Sequence, residues 1–76
     1  MPSIDRLTGR EREILHLVSE HLTNREIARE LTLAESTVET HMHRILRKLR
    51  SDSRHHAARL YLNSGSSDRN GKTGPP

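Results

Sequence analysis

Four polar residues recur at helical spacing in the middle of the chain: Ser36, Thr40, His43 and Arg47. At about 100° per residue, positions i, i+4, i+7 and i+11 lie on one side of an α-helix. Hydroxyl, imidazole and guanidinium groups in such a row can form hydrogen bonds with base edges and with phosphates. The row predicts a helix face that contacts nucleic acid, and the alternative is the solvated face of an ordinary helical bundle.

The segment that carries this row also has an apolar stripe, which would hold the polar side outward. Its apolar residues fall within an arc of roughly 100° and are Val38, Met42, Ile45, Leu46 and Leu49. A helix with one apolar stripe buries that stripe against a core and leaves the opposite side in solvent. We therefore expect a helix from Ser36 to Leu49 that packs on one side only.

Two shorter helices are expected before this one. Thr8 with Glu11, and Thr23 with Glu26, have the T-x-x-E spacing of a capping box, which marks a helix start. The second helix is short, and residues 32–35 interrupt the apolar spacing as a tight turn does. A short helix, a tight turn and a longer helix with a polar outer face make up a helix-turn-helix.

A fourth helix is expected after Ser51 or Asp52, either of which can cap it, and it would end at Leu62. The predicted fold class is all-α, a compact four-helix domain that contains a helix-turn-helix. The tail has no apolar side chain and is predicted to be disordered. The predicted organisation is an N-terminal lead at 1–6, the helix-turn-helix domain at 7–62 and the disordered tail at 63–76.

Charge is unevenly distributed along the chain, whose formal net charge is +3. Residues 1–35 carry five arginines and seven acids, which gives −2, whereas residues 36–62 carry six basic residues and two acids, which gives +4. This asymmetry favours a polyanionic partner for the second half of the domain. Charge alone is equally compatible with a solvated basic helix face.

The composition argues against several other classes. There is no cysteine, which excludes disulfides and cysteine-based zinc sites. Tyr61 is the single aromatic residue, and one aromatic ring is too few to stack the bases of single-stranded RNA. His41 and His43 lie two positions apart and His55 and His56 are adjacent, so neither pair has the i, i+4 spacing of a helical zinc site. We expect no metal and no cofactor.

Neither an enzyme nor a membrane protein is expected. The chain has no Gly-rich phosphate loop, no plausible nucleophile–base arrangement and too little length for a deep pocket. No apolar run approaches the roughly 18 residues of a membrane span, and the N-terminus lacks the features of a signal peptide. We expect a cytoplasmic protein without a membrane partner.

Several segments together match a known pattern: Leu7–Leu15, Thr23–Ala28, Ser36–His41 and Ile45–Leu49. With this spacing, residues 7–62 resemble the LuxR/FixJ-type (GerE-like) helix-turn-helix DNA-binding domain. The resemblance implies a bacterial transcriptional regulator, either the output domain of a response regulator or a stand-alone protein, located at the nucleoid. The implied partners are double-stranded DNA, a second copy of the chain on DNA, and RNA polymerase as a further candidate.

The resemblance also implies roles for individual residues. The residues implied to contact bases are Ser36, Glu39, Thr40 and His43. The residues implied to lie near phosphates are Thr23, Asn24, Arg25, Thr37, Arg44, Arg47 and Lys48. The fourth helix is implied to form the dimer face, through Arg54, Ala57, Ala58 and Tyr61.

The chain departs from the family pattern at two positions. Many relatives have Lys where this chain has Glu39, whose carboxylate could accept a hydrogen bond from cytosine N4 or pair with His43 one turn on. Relatives usually have Gly and an apolar residue where this chain has Arg50 and Ser51. A left-handed Arg50 would cost about 1 kcal/mol, and the gain would be an extra phosphate contact.

Two other functions remain open at this point. Region four of a bacterial sigma factor also has a Glu-rich first helix, and His43–Arg44 and Leu49–Arg50 are similar to residues of that group. Thr40–His41 and the fourth helix argue against this assignment. A protein-interaction module would use the fourth helix to bind a partner and the third only as a scaffold. Steep weakening of DNA binding by salt would distinguish the groove-binding domain from the interaction module.

Overall fold

The computed structural model describes residues 4–65, and that part of the chain contains one 3₁₀ turn and four α-helices without a strand. The elements in chain order are the 3₁₀ turn Ile4–Arg6, α1 (Gly9–Ser19), α2 (Asn24–Leu31), α3 (Glu35–Leu49) and α4 (Arg54–Gly65). The predicted all-α, four-helix fold is confirmed, and the long third helix begins one residue earlier than expected.

Both predicted capping boxes are present. Thr8 Oγ1 accepts a hydrogen bond from the Glu11 amide at 3.1 Å, and Glu11 Oε1 accepts one from the Thr8 amide at 2.9 Å. Thr23 and Glu26 form the same reciprocal pair at 3.2 and 2.8 Å. Each box satisfies amide groups that the first turn of a helix leaves without a partner, so α1 and α2 begin where the sequence pattern places them.

A left-handed residue that is not glycine follows the end of each of the first three helices. The φ angles are 71° at His21, 58° at Thr32 and 51° at Arg50. In each case the amide of the next residue donates to a carbonyl five positions back, for example Leu33 to Ala28 at 2.8 Å, as in a Schellman motif. These helix ends turn the chain sharply, but the left-handed backbone conformation is unfavourable for a residue that has a Cβ atom.

The core lies where α1 packs against α3 and α4, with α2 closing it against α3. It is built from aliphatic side chains and one methionine. The buried apolar residues are Leu7, Ile14, Leu15, Val18, Ile27, Ala28, Val38, Met42, Ile45, Leu49, Ala57 and Ala58. Four of these, at 38, 42, 45 and 49, form the apolar stripe of α3, so this helix is anchored on one side as predicted, with Leu46 only partly buried.

The ends of the domain differ from the predicted boundaries. The α4 helix is capped by Ser53, whose Oγ accepts from the His56 amide at 3.1 Å, rather than by Ser51 or Asp52. It continues to Gly65, so residues 63–65 of the predicted disordered tail are helical. Residues 66–76 of that tail, and residues 1–3 of the predicted lead, lie outside the described residues.

The 3₁₀ turn gives the rest of the lead a structural role that the sequence did not indicate. Ile4 is partly buried against the core, which ties residues 4–6 to the domain. None of the helices in the described residues is both long and apolar enough to cross a membrane.

Candidate nucleic-acid interface

The α2 and α3 helices and the turn between them form the expected helix-turn-helix. Thr32 ends α2 in the left-handed conformation, Leu33 is half-buried, and Ala34 occupies the N-cap of α3 without a side-chain cap. The first turn of α3 instead has Glu35, whose negative charge interacts favourably with the positive end of the helix dipole. The turn thus fixes the direction of α3 relative to α2.

The predicted polar row is open to solvent along the whole length of α3. Ser36, Thr40, His43 and Arg47 are all exposed, and they lie opposite the buried stripe that holds the helix on the core. No part of the domain in residues 4–65 covers this side. The geometry required for a helix to enter a groove is therefore present.

The hydroxyl of Thr40 already has an acceptor inside the helix. Thr40 Oγ1 donates to the carbonyl of Ser36 at 3.1 Å, which uses the single hydroxyl proton. The lone pairs and the methyl group remain for outside contacts. In this rotamer Thr40 can accept from a base amino group or touch a thymine methyl, but it cannot donate.

Glu39 is exposed on one flank of the polar row. Within the described residues it forms no ion pair with His43, so the intramolecular alternative is not formed in this structure. Glu39 and His43 instead line a shallow depression that extends to Asn24 and Arg54 at the starts of α2 and α4. Contact of Glu39 with a base stays a prediction.

The start of α2 is held by a side chain from α4. Arg54 Nη1 donates to Asn24 Oδ1 at 2.7 Å, and Arg54 Nη2 donates to the Leu22 carbonyl at 3.1 Å. The amide nitrogen of Asn24 keeps its donors for other contacts. Arg54 was predicted on the dimer face, but it reaches across to the predicted phosphate-contacting end of α2.

Two alanines that were predicted on the dimer face are buried in the core instead. Ala57 is fully buried and Ala58 is 8% exposed, because this side of α4 packs on α1 within the core. Tyr61 is half-buried, and its hydroxyl lies 3.1 Å from His16 Nδ1. The two alanines cannot form a large contact with a second copy, so a dimer contact through α4 would have to use its outer face. The exposed residues of that outer face are His55, His56, Arg59 and Leu62.

Lys48 is bound within the domain on the other flank of α3. Its Nζ donates to Glu11 Oε1 at 2.7 Å, while Glu11 is only 2% exposed. Burial alone would raise the pKa of the Glu11 carboxyl, but the hydrogen bonds from Lys48 and from the Thr8 backbone outweigh it and leave that pKa below its ordinary value. The negative charge of Glu11 thus holds the end of α3 against the start of α1.

The remaining predicted phosphate contacts are accessible to different degrees. Thr23, Arg25 and Arg44 are exposed, whereas Thr37 is half-buried. Arg6 lines the same depression as Arg44 and Arg47, and Arg54 binds Asn24, but sequence reasoning placed neither arginine near these residues. No motif indicates either arginine, since each is brought to the predicted interface by packing between elements that are distant in sequence.

The histidines do not assemble into a metal site in the part of the chain that the structure describes. Residues 4–65 contain no group of three or more His, Asp or Glu side chains arranged to hold a metal ion. His16 contacts Tyr61 and lies 3.3 Å from Glu20, and His56 Nδ1 lies 2.8 Å from Ser51 Oγ. These histidines link neighbouring elements of the fold.

Comparison with known proteins identifies close relatives of this domain. The chain is 46% identical over 55 residues to the nitrate/nitrite response regulator protein NarL of Escherichia coli K12, covering 72% of this chain and 26% of the relative. It is 48% identical over 52 residues to the DNA-binding transcriptional activator DevR/DosR of Mycobacterium tuberculosis, covering 68% and 24%. The transcriptional regulatory protein LiaR of Bacillus subtilis is 50% identical over 52 residues, covering 68% and 25%. The chain therefore spans about a quarter of the length of these curated relatives.

A family model matches almost the whole described domain. The model of bacterial regulatory proteins of the luxR family matches residues 5–61, which include all four helices almost to the end of α4. The match agrees with the resemblance found in the sequence and does not favour the sigma-factor or interaction-module alternatives. The chain belongs to the luxR family of bacterial regulatory proteins.

Proposed function

We propose that this domain recognises double-stranded DNA by placing α3 in the major groove, as the DNA-binding domain of a bacterial transcriptional regulator. The family and the response regulators among its relatives support DNA-binding transcriptional regulation. The observation that carries the proposal is the exposed row at 36, 40, 43 and 47 opposite a buried stripe. A major groove about 12 Å wide admits one α-helix presented in this way.

Base recognition is assigned to the N-terminal two-thirds of α3. Ser36 and His43 can donate or accept, whereas Thr40 accepts and offers its methyl group, as its bond to the Ser36 carbonyl dictates. Glu39 can accept from cytosine N4, which a lysine could not do. The sequence preference should therefore differ from that of relatives with lysine at this position.

Phosphate contacts set the position of the helix in the groove. Arg25, at the start of α2, and Arg44 and Arg47, on α3, are exposed arginines that can bind phosphates. Thr23, Asn24 and Thr37 add hydrogen-bond donors around the same surface. Lys48 can contribute without leaving Glu11, because an ammonium group has three donors and Glu11 Oε1 uses one.

Two copies are proposed to bind adjacent half-sites through the outer face of α4. Leu62 is the large apolar side chain of this face and is 55% exposed. A two-fold dimer would place its two recognition helices about 34 Å apart, one turn of DNA. The operator would then have two-fold symmetry with matching half-site spacing.

The cellular role proposed is that of an output domain. The relatives are about four times longer than the matched region, so the regulatory signal and contacts with RNA polymerase would involve the longer protein. We place this function in the cytoplasm, at the nucleoid. The proposal includes no catalytic step and no cofactor.

Selection of bound sites from a pool of random duplexes tests the function. Enrichment of one motif, repeated with two-fold symmetry about one DNA turn apart, is expected. Binding that weakens steeply between about 50 and 200 mM salt is expected for a protein that neutralises several phosphates. A chain that binds no duplex at low salt would overturn the proposal and favour a protein-interaction module.

A further inference from the structure

A strongly basic depression lies beside the C-terminal half of α3. We call it the basic depression, and it is an open concavity of about 380 Å³. Its lining contains five cationic side chains and no acidic one. The lining residues are Arg6, Arg44, Arg47, Lys48 and Arg50. Arg6 comes from the 3₁₀ turn, and Arg50 is the left-handed residue that ends α3.

The depression adjoins the surface proposed to face DNA. Arg47 belongs both to its lining and to the exposed polar row. Arg44 and Lys48 lie on the flank of α3 opposite the one that carries Glu39, as the helical period of about 100° per residue requires. The Glu39 flank meets Asn24 and Arg54, so each flank of α3 has at least one cationic side chain beside it.

This arrangement matches the surroundings of a helix in the major groove. Such a helix lies between two phosphate backbones, one on each side of it. At about 1.5 Å per residue, the 15 residues of α3 span about 22 Å, which exceeds the groove width of about 12 Å. If the N-terminal part contacts bases, the C-terminal end lies beside a backbone.

The electrostatics of the basic depression call for an anionic partner. Lys48 binds the buried carboxylate of Glu11, which offsets its charge, and the lining contributes no acidic side chain to the four arginines. Arg50 also stays in a conformation that costs about 1 kcal/mol for a residue with a Cβ. A bound anion would reduce the repulsion among these arginines and would form a favourable contact with Arg50.

We propose that Arg6 and Arg50 are additional phosphate-binding residues, and that the basic depression holds the backbone of one DNA strand beside the recognition helix. The inference rests on the proposed function and extends it to residues outside the helix-turn-helix. Arginine suits this role because its planar fork binds phosphate oxygens through two parallel hydrogen bonds. These contacts fix position and carry no base preference.

The test is the salt dependence of binding to a duplex with a single half-site. Arg6→Gln and Arg50→Gln should each reduce the slope of log affinity against log salt by about 0.9, and the double variant by about 1.8. The loss should be equal for a selected duplex and an unrelated one. Arg50→Lys keeps the charge and should keep the parent slope.

Arg29→Gln serves as the matched control, because Arg29 is exposed in the last turn of α2, outside the basic depression. Melting curves followed by circular dichroism should show that all variants are folded. Slopes of Arg6→Gln and Arg50→Gln equal to that of Arg29→Gln would overturn this inference and leave the proposed function standing. A parent chain that binds no duplex would overturn both.

Discussion

Lys48 and Glu11 are 37 positions apart in sequence, yet Lys48 Nζ lies 2.7 Å from Glu11 Oε1. The same oxygen accepts the Thr8 amide at 2.9 Å, so one carboxylate both caps α1 and binds the last turn of α3. Such charge-assisted hydrogen bonds are stronger than neutral ones. The start of α1 and the end of α3 are thereby held together.

Replacing the Glu11 carboxylate should lower the stability of the domain and make that stability less sensitive to acid. Glu11→Gln can still cap Thr8 but loses the charge that binds Lys48, at a cost of about 2 kcal/mol. Because the pKa of Glu11 is lowered in the folded state, its contribution is complete above the unfolded pKa and is lost as pH falls through the folded pKa. Thermal melts from pH 7 to pH 3 measure both effects.

The parent chain should therefore lose more stability than Glu11→Gln on acidification below about pH 4.3, the unfolded pKa of a glutamate. The exposed Glu13→Gln variant is a control, since Glu13 forms only a surface pair with Arg10. Equal acid sensitivity of the parent and Glu11→Gln would contradict the role given to this carboxylate.

The sequence predicted those features that depend on neighbouring residues. Both capping boxes follow from a T-x-x-E pattern, and the exposed row of α3 follows from helical spacing, so these could be placed without tertiary information. The bond from Arg54 to Asn24 joins positions 30 apart, and no local pattern encodes it. Such contacts depend on how α4 crosses the other helices.

The burial of the two alanines predicted on the dimer face was missed for the same reason. Ala57 and Ala58 are small residues in an amphipathic helix, and such residues fit against either a core or a partner helix. The structure shows that α1 already covers them, which the sequence of α4 alone could not reveal. The α4 cap at Ser53 was also missed, because three neighbouring residues, at 51, 52 and 53, are all suitable caps.

Stability and DNA affinity should change in opposite directions at Arg50. Arg50→Gly removes the Cβ from a left-handed residue and should stabilise the domain by about 1 kcal/mol. That gain raises the melting temperature by about 4–8 °C for a domain of this size. The same change removes a charge from the basic depression, so affinity for duplexes should fall.

Thr32→Gly provides the comparison for Arg50→Gly. Thr32 has a φ of 58° and a branched Cβ, so glycine should stabilise this turn by a similar amount. It carries no charge, so DNA affinity should stay at the parent value. If Arg50→Gly binds as tightly as Thr32→Gly, the side chain of Arg50 does not contact phosphate.

A comparison of two residues of the polar row should distinguish a phosphate contact from a base contact. Arg47→Ala should weaken binding to every duplex and reduce the salt slope by about 1. Thr40→Ala should mainly flatten the preference at one base pair, by about 1 kcal/mol. Affinities for the selected duplex and for single-base variants of it measure both effects.

A further variant distinguishes the two groups of Thr40. Thr40→Ser keeps the oxygen and removes the methyl, so a retained preference would assign recognition to the oxygen, and a lost preference to a thymine methyl. If Thr40→Ala and Arg47→Ala both bind like the parent, the exposed row of α3 is not the DNA-contacting face.

The proposed dimer contact on α4 should be detectable only when two half-sites are present. Leu62 is 55% exposed, and Leu62→Glu would place a charge in an apolar contact between two copies. Affinity for a duplex with two half-sites should fall by about tenfold, equivalent to about 1.4 kcal/mol. Affinity for a single half-site should stay unchanged. Leu62→Met keeps the apolar character and should bind both duplexes like the parent. If Leu62→Glu instead loses the same affinity for both duplexes, Leu62 acts through the fold of α4 rather than through a second copy.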